Sequence, residues 1–305
     1  MVDSERILVT GAGGGVGGVG RTVVELLRAR GLPVRAMVHR EDERADVLRA
    51  SGAEVVAGDL TDPTAVAVAL DGCPTVFFSM SVSPVYLEAA ATVATVACAV
   101  GGVRALVGIS QLTVSQMTAL STQESHQQRL HWLSERVLDW SGLPVVHIRP
   151  TMFLDNPLFT TLAARSIADS DTIRLPFGTG RTSPIAAVDV ARVVATVLAD
   201  PGAHLGRVLE LTGPTSQDMT GVAEEFTRAL GRPVSYVDVP FDAWAEWVAA
   251  TAGLPPHVEE HLVTMARLHR NNRYDRLTDT VERVTGTPAR SIEEFVAERA
   301  DLFGR

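Results

Sequence analysis

The sequence predicts a doubly wound α/β fold, a parallel sheet with helices on both faces, followed by a smaller, mainly helical C-terminal lobe. Three observations predict this fold. Short apolar strands alternate with helices up to Pro150, a glycine-rich turn follows the first strand, and helical patterns dominate after Gly213. Strands that alternate with helices need crossover connections, which produce a parallel sheet buried on both faces.

Up to Pro150 the elements follow from short apolar runs and from apolar residues at helical spacing. The runs predict strands at 7–10, 34–38, 54–57, 75–79, 103–110 and 145–149. Helical spacing, with Gly or Pro at several of the ends, predicts helices at 22–30, 41–50, 62–70, 85–100 and 123–141.

After Pro150 the alternation stops. The patterns predict helices at 156–169, 188–199, 219–230, 242–251, 256–271 and 292–302, a loop at 175–184, and strands at 207–211 and 234–239. We expect the strand at 207–211 to return to the edge of the sheet. Residues 1–150, with 186–212 returning to them, are therefore predicted as one domain, and residues 151–185 and 213–305 as the small, substrate-binding lobe.

Composition excludes several classes of function. The chain has 305 residues, 46% of them hydrophobic and 21% charged, with a net charge of −9, which argues against direct nucleic-acid binding. All 27 basic residues are Arg, so no Schiff-base lysine exists. Cys73 and Cys98 are the only cysteines, and we expect no metal site, no membrane span and a cytoplasmic location.

The turn after the first strand has the features that a nucleotide pyrophosphate requires. Residues 9–17 read Val-Thr-Gly-Ala-Gly-Gly-Gly-Val-Gly between a strand and a helix. Glycines allow close approach of the backbone, and the helix N-terminus offers amides to the phosphates. We predict dinucleotide binding here, although such turns also serve as plain connections. Two registers stay open, with the glycines at 11, 14 and 17 or at 14, 17 and 20.

The end of the second strand indicates which dinucleotide binds. An acidic residue there takes the ribose 2′-hydroxyl, whereas an Arg takes a 2′-phosphate. Arg40 lies at this place, followed by Glu41 and Asp42, so NADP(H) is the preferred coenzyme and NAD(H) the alternative. The competing interpretation is a solvated Arg40 paired with these acids. Asp59, at the end of the third strand, lies beside the adenine position or acts as a turn residue.

Further motifs resemble those of a known family. They are Ile-Leu-Val-Thr-Gly-Ala at 7–12, Gly-Asp-Leu-Thr-Asp at 58–62, Ser-Gly-Leu-Pro at 141–144 and His-Ile-Arg-Pro-Thr at 147–151, with stretches at 174–178, 188–191 and 282–286. Over nearly its whole length the chain resembles the NmrA-like, atypical short-chain dehydrogenases/reductases, which have a Rossmann-type domain. That family includes NAD(P)H-dependent reductases of quinones, dyes and natural-product intermediates, and redox sensors that bind the dinucleotide without turnover.

The resemblance implies a set of cofactor contacts. The predicted contacts in the turn are Gly11, Gly13, Gly14, Gly15, Val16 and Gly17. Arg40 is implied at the adenosine ribose, Asp59 and Leu60 beside adenine, and Ser79, Met80 and Ser81 at the ribose and nicotinamide. Family turns usually read Gly-Ala-Thr-Gly, whereas here Gly13 replaces the Thr and residues 18–20 read as an insertion, which leaves the phosphate contacts open by a few positions.

The standard catalytic pair of the wider superfamily is missing. That pair is a Tyr and a Lys four residues later, and alignment through 141–143 puts Gln127 and His131 at the two places. Gln127, His131 and Glu135 are spaced by four and form one polar helix stripe. Glu135 would stabilise the imidazolium of His131, which suits a ribose anchor or a proton donor. The alternative is a solvated helix face.

Two other side chains are candidate catalytic groups. Ser110, at the end of the fifth strand, either hydrogen-bonds a substrate carbonyl or the nicotinamide ribose, or is a plain strand-end serine. Tyr86, at the start of the helix after the fourth strand, is a weaker candidate proton donor.

The function predicted from these observations is NAD(P)H-dependent reduction of a small, largely apolar, conjugated molecule. Hydride transfer to a quinone, imine or dye needs proximity and orientation more than a strong acid. The alternatives are a dinucleotide-binding sensor that acts through a protein partner, and a non-redox biosynthetic enzyme on the same fold. A monomer or a homodimer is expected.

Overall fold

The computed structural model describes residues 5–15, 17–251 and 253–304. The strands are β1 (Ile7–Val9), β2 (Val34–Val38), β3 (Glu54–Ala57), β4 (Thr75–Phe78), β5 (Ala105–Ile109), β6 (Val145–Pro150), β7 (Thr172–Leu175), β8 (Val208–Leu211) and β9 (Ser235–Asp238). The α-helices are α1 (Val19–Ala29), α2 (Glu43–Ala50), α3 (Pro63–Leu70), α4 (Tyr86–Val100), α5 (His126–Trp140), α6 (Ala164–Ser170), α7 (Ala187–Ala199), α8 (Met219–Leu230), α9 (Phe241–Thr251), α10 (Pro256–Arg270), α11 (Thr280–Thr285) and α12 (Ile292–Ala297).

A seven-stranded sheet organises the fold, in the order β3-β2-β1-β4-β5-β6-β8. β1 pairs in parallel with β2 on one side and β4 on the other, so that Ile7 lies opposite both Val34 and Thr75. The direction of winding reverses between β1 and β4, and ligands of such sheets bind beyond the carboxyl ends of the strands at this point. The predicted doubly wound fold is confirmed, with β8 at the sheet edge.

The chain divides into two compact units. The first contains the described residues up to Gln111, together with Leu130–Arg149 and Val190–Leu209. In one of its cores the strand residues Leu8, Val76 and Leu106 pack with helix residues such as Val93 and Leu138, all at most 3% exposed. The strands form because these β-branched and aliphatic runs are buried on both sheet faces.

The second unit contains Leu112–Arg129, Pro150–Asp189 and the described residues from Glu210. Its core is rich in aromatic side chains, among them Phe159, Phe226 and Phe295. β7 and β9 form a small parallel sheet in which Ile173 lies opposite Tyr236. β9 was predicted, but β7 was not. The segment 112–129, predicted in the first domain, groups with this unit.

Several element boundaries differ from those predicted. α1 begins at Val19, three residues earlier than expected, and α12 ends at Ala297 instead of residue 302. The helix predicted at 156–169 starts as a π-helical turn, Leu158–Ala163, and continues as α6. Left-handed Asp171 ends α6 and leads into β7. In the described part of the chain, no helix combines the length and the apolar character needed to cross a membrane.

Candidate functional site

The glycine turn is fixed against the end of β4. The hydroxyl of Thr10 donates to the Ser79 carbonyl and accepts from the Ser79 amide, both at 2.9 Å. Gly11 has a φ of 66°, and a Cβ added there would lie 2.5 Å from the Ser79 carbonyl oxygen. Only glycine fits this left-handed, closely packed position. The contact brings the end of β4 and the glycine turn together.

Two further glycines allow the turn and α1 to approach each other. The amide of Gly14 donates to the Gly11 carbonyl at 3.0 Å, so the turn closes on itself. A Cβ on Gly20 would lie 2.8 Å from that same carbonyl oxygen and 3.0 Å from the Ala12 Cα. Gly20 therefore provides the close helix packing that a dinucleotide fingerprint assigns to its last glycine. The sequence left this register open.

The remaining turn residues differ in the space around them. A Cβ on Gly15 would meet nothing within 4 Å, whereas one on Gly14 would lie 3.1 Å from the Gly11 carbonyl oxygen and 3.6 Å from the Ser81 hydroxyl. Gly17 and Gly18 are both left-handed, with φ of 64° and 58°. Val16 lies outside the described residues. The backbone thus forms a cradle that side chains would fill, which fits a diphosphate group.

At the end of β2, Arg40 is exposed to solvent. The acids that follow it are occupied by other cations. Glu41 pairs with Arg49 at 2.8 Å, and Asp42 pairs with Arg44. Within residues 5–15, 17–251 and 253–304, Arg40 forms no ion pair. The alternative in which the helix-start acids neutralise Arg40 is therefore not the arrangement in the structure.

Asp59 ends β3 as a turn residue. One carboxylate oxygen accepts from the Thr61 amide at 2.9 Å and from its hydroxyl at 2.8 Å, and the other lies 3.9 Å from His39. These hydrogen bonds from Thr61 hold the pKa of Asp59 below its usual value. Asp62 caps α3. Leu60 is partly buried and packs against the first unit's core, as does Met80 after β4.

Ser110 follows β5 directly and continues the pairing with β6, since its amide donates to the Ile148 carbonyl at 2.7 Å. Its side chain is 5% exposed. The Ser110 hydroxyl faces the Glu135 carboxylate, and this contact helps to lower the pKa of that carboxyl.

Tyr86 packs beside His131. The two rings lie 4.1 Å apart between centroids and are tilted by 52°. The Tyr86 hydroxyl donates to the Ile109 carbonyl at 2.9 Å, and burial raises the pKa of this phenol far above its usual value. Tyr86 is 1% exposed and its proton is engaged with the backbone, so the geometry favours a supporting contact to His131 over proton donation.

His131 lies on α5 as predicted and is 6% exposed, so the solvated-face interpretation does not fit it. The carboxylate of Glu135 accepts from Arg149 Nε at 2.9 Å and Nη2 at 2.5 Å, and from Arg136 at 3.2 Å. Burial opposes ionisation of Glu135, but the Arg149 hydrogen bonds and neighbouring positive charge outweigh it and lower the pKa of the carboxyl. The sequence predicts Glu135 as a partner of His131, and it gives no indication of the contact between Glu135 and Arg149.

Two arginines in this region were not predicted as site residues. Arg149 belongs to the His-Ile-Arg-Pro motif, and its partner lies 14 residues earlier in the chain. Arg44 lies in the first turn of α2 and donates to the Gly13 carbonyl at 2.7 Å. The run of acids and arginines after β2 is a sequence feature that could have pointed to Arg44. Within the described ranges, no cluster of three or more His, Cys, Asp or Glu could hold a metal.

Comparison with known proteins identifies the family. The model of the NmrA-like family matches residues 3–296. The chain belongs to the NmrA-like family. The chain is 31% identical over 293 residues to the NAD(P)H azoreductase of Xenophilus azovorans. This match covers 95% of this chain and 98% of that protein.

A second relative and a solved structure extend this comparison. The chain is 33% identical over 297 residues to the (4-alkanoyl-5-oxo-2,5-dihydrofuran-3-yl)methyl phosphate reductase of Streptomyces griseus, with 97% and 99% of the two chains covered. The fold is similar to that of the NADPH-dependent quinone oxidoreductase of Escherichia coli solved with NADPH. For that pair the TM-score is 0.83, the identity 24%, and the coverage 96% and 99%.

Proposed function

We propose that this NmrA-like protein is an NAD(P)H-dependent oxidoreductase that reduces a small, largely apolar, conjugated molecule. The glycine cradle between β1 and α1 carries the proposal, because its close backbone contacts fit a diphosphate. Two relatives that match nearly end to end at 31% and 33% identity are both named as reductases, which supports a redox role over a sensor or a non-redox enzyme.

The proposed coenzyme contacts follow the sheet edge. The glycines at 11, 13, 14, 15 and 17 hold the diphosphate, and Val16 is proposed from the sequence alone. Exposed Arg40 binds the 2′-phosphate, which makes NADPH the preferred coenzyme and NADH the alternative. The contacts proposed for the adenine, the second ribose and the nicotinamide are Asp59, Leu60, Ser79, Met80, Ser81, Ser110 and His131.

The bound coenzyme supplies a hydride, and the chain supplies orientation and a proton. Ser110, buried at the end of β5 beside the Glu135 carboxylate, orients a bound molecule through its hydroxyl. His131 anchors the ribose or donates a proton, and the Tyr86 ring keeps the imidazole in place. A quinone, imine or dye suits this machinery, because a conjugated acceptor requires less acid assistance than an isolated carbonyl.

The test combines binding with turnover. Calorimetric titration should detect both coenzymes, with NADPH bound more tightly, and NADPH oxidation should be observed with some member of a panel of quinones, azo dyes and imines. Arg40→Ala should weaken NADPH binding much more than NADH binding. Tight binding without oxidation of NADPH by any acceptor would favour the sensor alternative, and absence of binding would refute the dinucleotide site.

We also propose a cytoplasmic location and a monomer or homodimer. Cys73 and Cys98 are both free thiols, which is usual in a reducing compartment. The net charge of −9 gives no support to nucleic-acid binding. Size-exclusion chromatography with light scattering distinguishes the two oligomeric states.

A further inference from the structure

A second arginine, Arg44, lies in the first turn of α2, where the glycine turn approaches the end of β2. The Nη1 of Arg44 donates to the Gly13 carbonyl at 2.7 Å. Gly13 itself lies against β2, since a Cβ added there would be 3.7 Å from Val38 Cγ1. In a doubly wound fold the adenosine ribose of a dinucleotide lies at this junction of turn and second strand. The Arg44 guanidinium is therefore within the region that a ribose 2′-substituent enters.

Asp42 holds Arg44 in this position. The Asp42 carboxylate accepts from Arg44 Nε at 3.2 and 3.0 Å, and it also caps α2 by accepting from the Arg44 amide at 3.0 Å. The hydrogen bonds from the Arg44 side chain help to lower the pKa of Asp42, so the carboxylate is ionised at neutral pH. The side chains of Arg44 and Asp42 are 59% and 38% exposed, and solvent-exposed pairs of this kind exchange partners readily.

The other acids of this region do not compete for Arg44. Glu41 lies 2.8 Å from Arg49, and Asp46 lies 3.0 Å from the same guanidinium. Asp42 is thus the carboxylate that a 2′-phosphate would have to displace. A phosphate carries more charge and more acceptor oxygens than a carboxylate, and arginine binds it in a bidentate manner.

We propose that Arg44 and Asp42 together set the choice between NADPH and NADH. When the coenzyme carries a 2′-phosphate, Arg44 binds that phosphate. When the coenzyme lacks it, Asp42 neutralises Arg44, which stays hydrogen-bonded to the Gly13 carbonyl. Asp42 therefore moderates the preference for NADPH and keeps NADH usable. This inference rests on the proposed coenzyme site and adds to it a second cation and a competing anion, beside Arg40.

Four proteins test the inference: the wild type, Arg44→Ala, Asp42→Asn and the control Arg104→Ala. Asparagine retains the helix cap but removes the charge. Arg104 also forms an exposed ion pair, with Glu5, and it directly precedes β5, at the amino ends of the strands, whereas the glycine turn lies at their carboxyl ends. Each protein is titrated calorimetrically with NADPH, NADH and 2′,5′-ADP at low ionic strength, where charge contacts are least screened.

We expect Arg44→Ala to weaken NADPH and 2′,5′-ADP roughly tenfold and NADH less than about twofold, as expected for loss of one charge-assisted phosphate contact. Asp42→Asn should strengthen NADPH by about threefold, because the competing charge is gone. Arg104→Ala should leave the ratio of the two affinities unchanged.

Other results overturn the inference. If Arg44→Ala weakens NADPH and NADH equally, Arg44 only holds the turn. If Asp42→Asn weakens NADPH, Asp42 positions Arg44 and does not compete. An unaltered NADPH/NADH ratio in both variants refutes the inference while the proposed function stands. A wild type that binds neither coenzyme refutes both.

Discussion

Two arginine–carboxylate clusters of the first unit use the same chemistry in opposite surroundings. At the start of α2, Arg44 and Asp42 form an exposed pair beside the glycine turn. Between α5 and β6, Arg149 and Glu135 form a buried pair, with side chains 12% and 2% exposed. Exposed pairs contribute little to stability and are free to change partners, whereas removing one member of a buried pair leaves an uncompensated charge. The first cluster is suited to a ligand and the second to fixing a helix.

The largest expected effect comes from Arg149→Ala. This variant leaves the Glu135 carboxylate buried with its bidentate partner removed, and we expect the free energy of unfolding at neutral pH to fall by about 3–5 kcal/mol. Urea denaturation measures the change. Arg49→Ala, which breaks the exposed pairs of Arg49 with Glu41 and Asp46, is the matched control and should unfold like the wild type. Equal losses in the two variants would contradict the contrast between the clusters.

Acid should remove part of that difference. The pKa of Glu135 is lower in the folded protein than in the unfolded chain, so its contribution to stability is fully present above the unfolded value. That contribution is lost as the pH falls through the folded value. The gap between the wild type and Arg149→Ala should therefore shrink as the pH is lowered from 7 to below about 4. A gap that stays constant with pH would mean that lost packing of Arg149, and not the charge of Glu135, causes the destabilisation.

A smaller effect is expected from a backbone position in the glycine turn, beside the exposed pair. Gly11→Ala places a Cβ 2.5 Å from the Ser79 carbonyl oxygen in a left-handed conformation, and we expect a loss of roughly 1–3 kcal/mol together with loss of coenzyme binding. Gly15→Ala is the control for stability, because its Cβ would meet nothing within 4 Å. Thermal unfolding with and without NADPH measures both effects. A Gly11→Ala protein that melts like the wild type would contradict the close contact with Ser79.

The smallest effect separates support from catalysis beside the buried cluster. Tyr86→Phe removes the hydrogen bond to the Ile109 carbonyl and keeps the ring against His131, so the stability should fall by only about 1 kcal/mol. NADPH oxidation should change by less than about threefold, since the hydroxyl proton is already engaged. A loss of turnover by about a hundredfold or more would instead make Tyr86 the proton donor.

Prediction from the sequence succeeded where the signal is local. Apolar runs such as 34–38 and 54–57 predicted strands that the structure contains with the same bounds. It failed where the partner is distant. β7 consists of four residues next to a loop rich in Gly, Pro and Thr, and it becomes a strand by pairing with β9, with Ile173 opposite Tyr236. The sequence of residues 172–175 gives no indication of that partner strand.

The candidate site divides in the same way. The glycine turn, Arg40 and His131 were found from motif and spacing, because helix and strand periodicities are set by neighbouring residues. Helical spacing also suggested that Glu135 pairs with His131, four residues earlier. Arg149, on the next strand, also binds the Glu135 carboxylate, and its guanidinium contacts both carboxylate oxygens.

The sequence by itself determined the order of strands and helices up to Pro150, the glycine turn that fits a diphosphate, and the absence of any lysine for a Tyr–Lys pair. The tertiary structure alone decided which glycine packs the helix, which arginine neutralises Glu135, and which carboxylate holds Arg44 at the turn. The reason is physical. Local patterns follow from backbone geometry and burial along a few residues, whereas ion-pair partners and close backbone contacts depend on which distant segments the fold brings within about 4 Å.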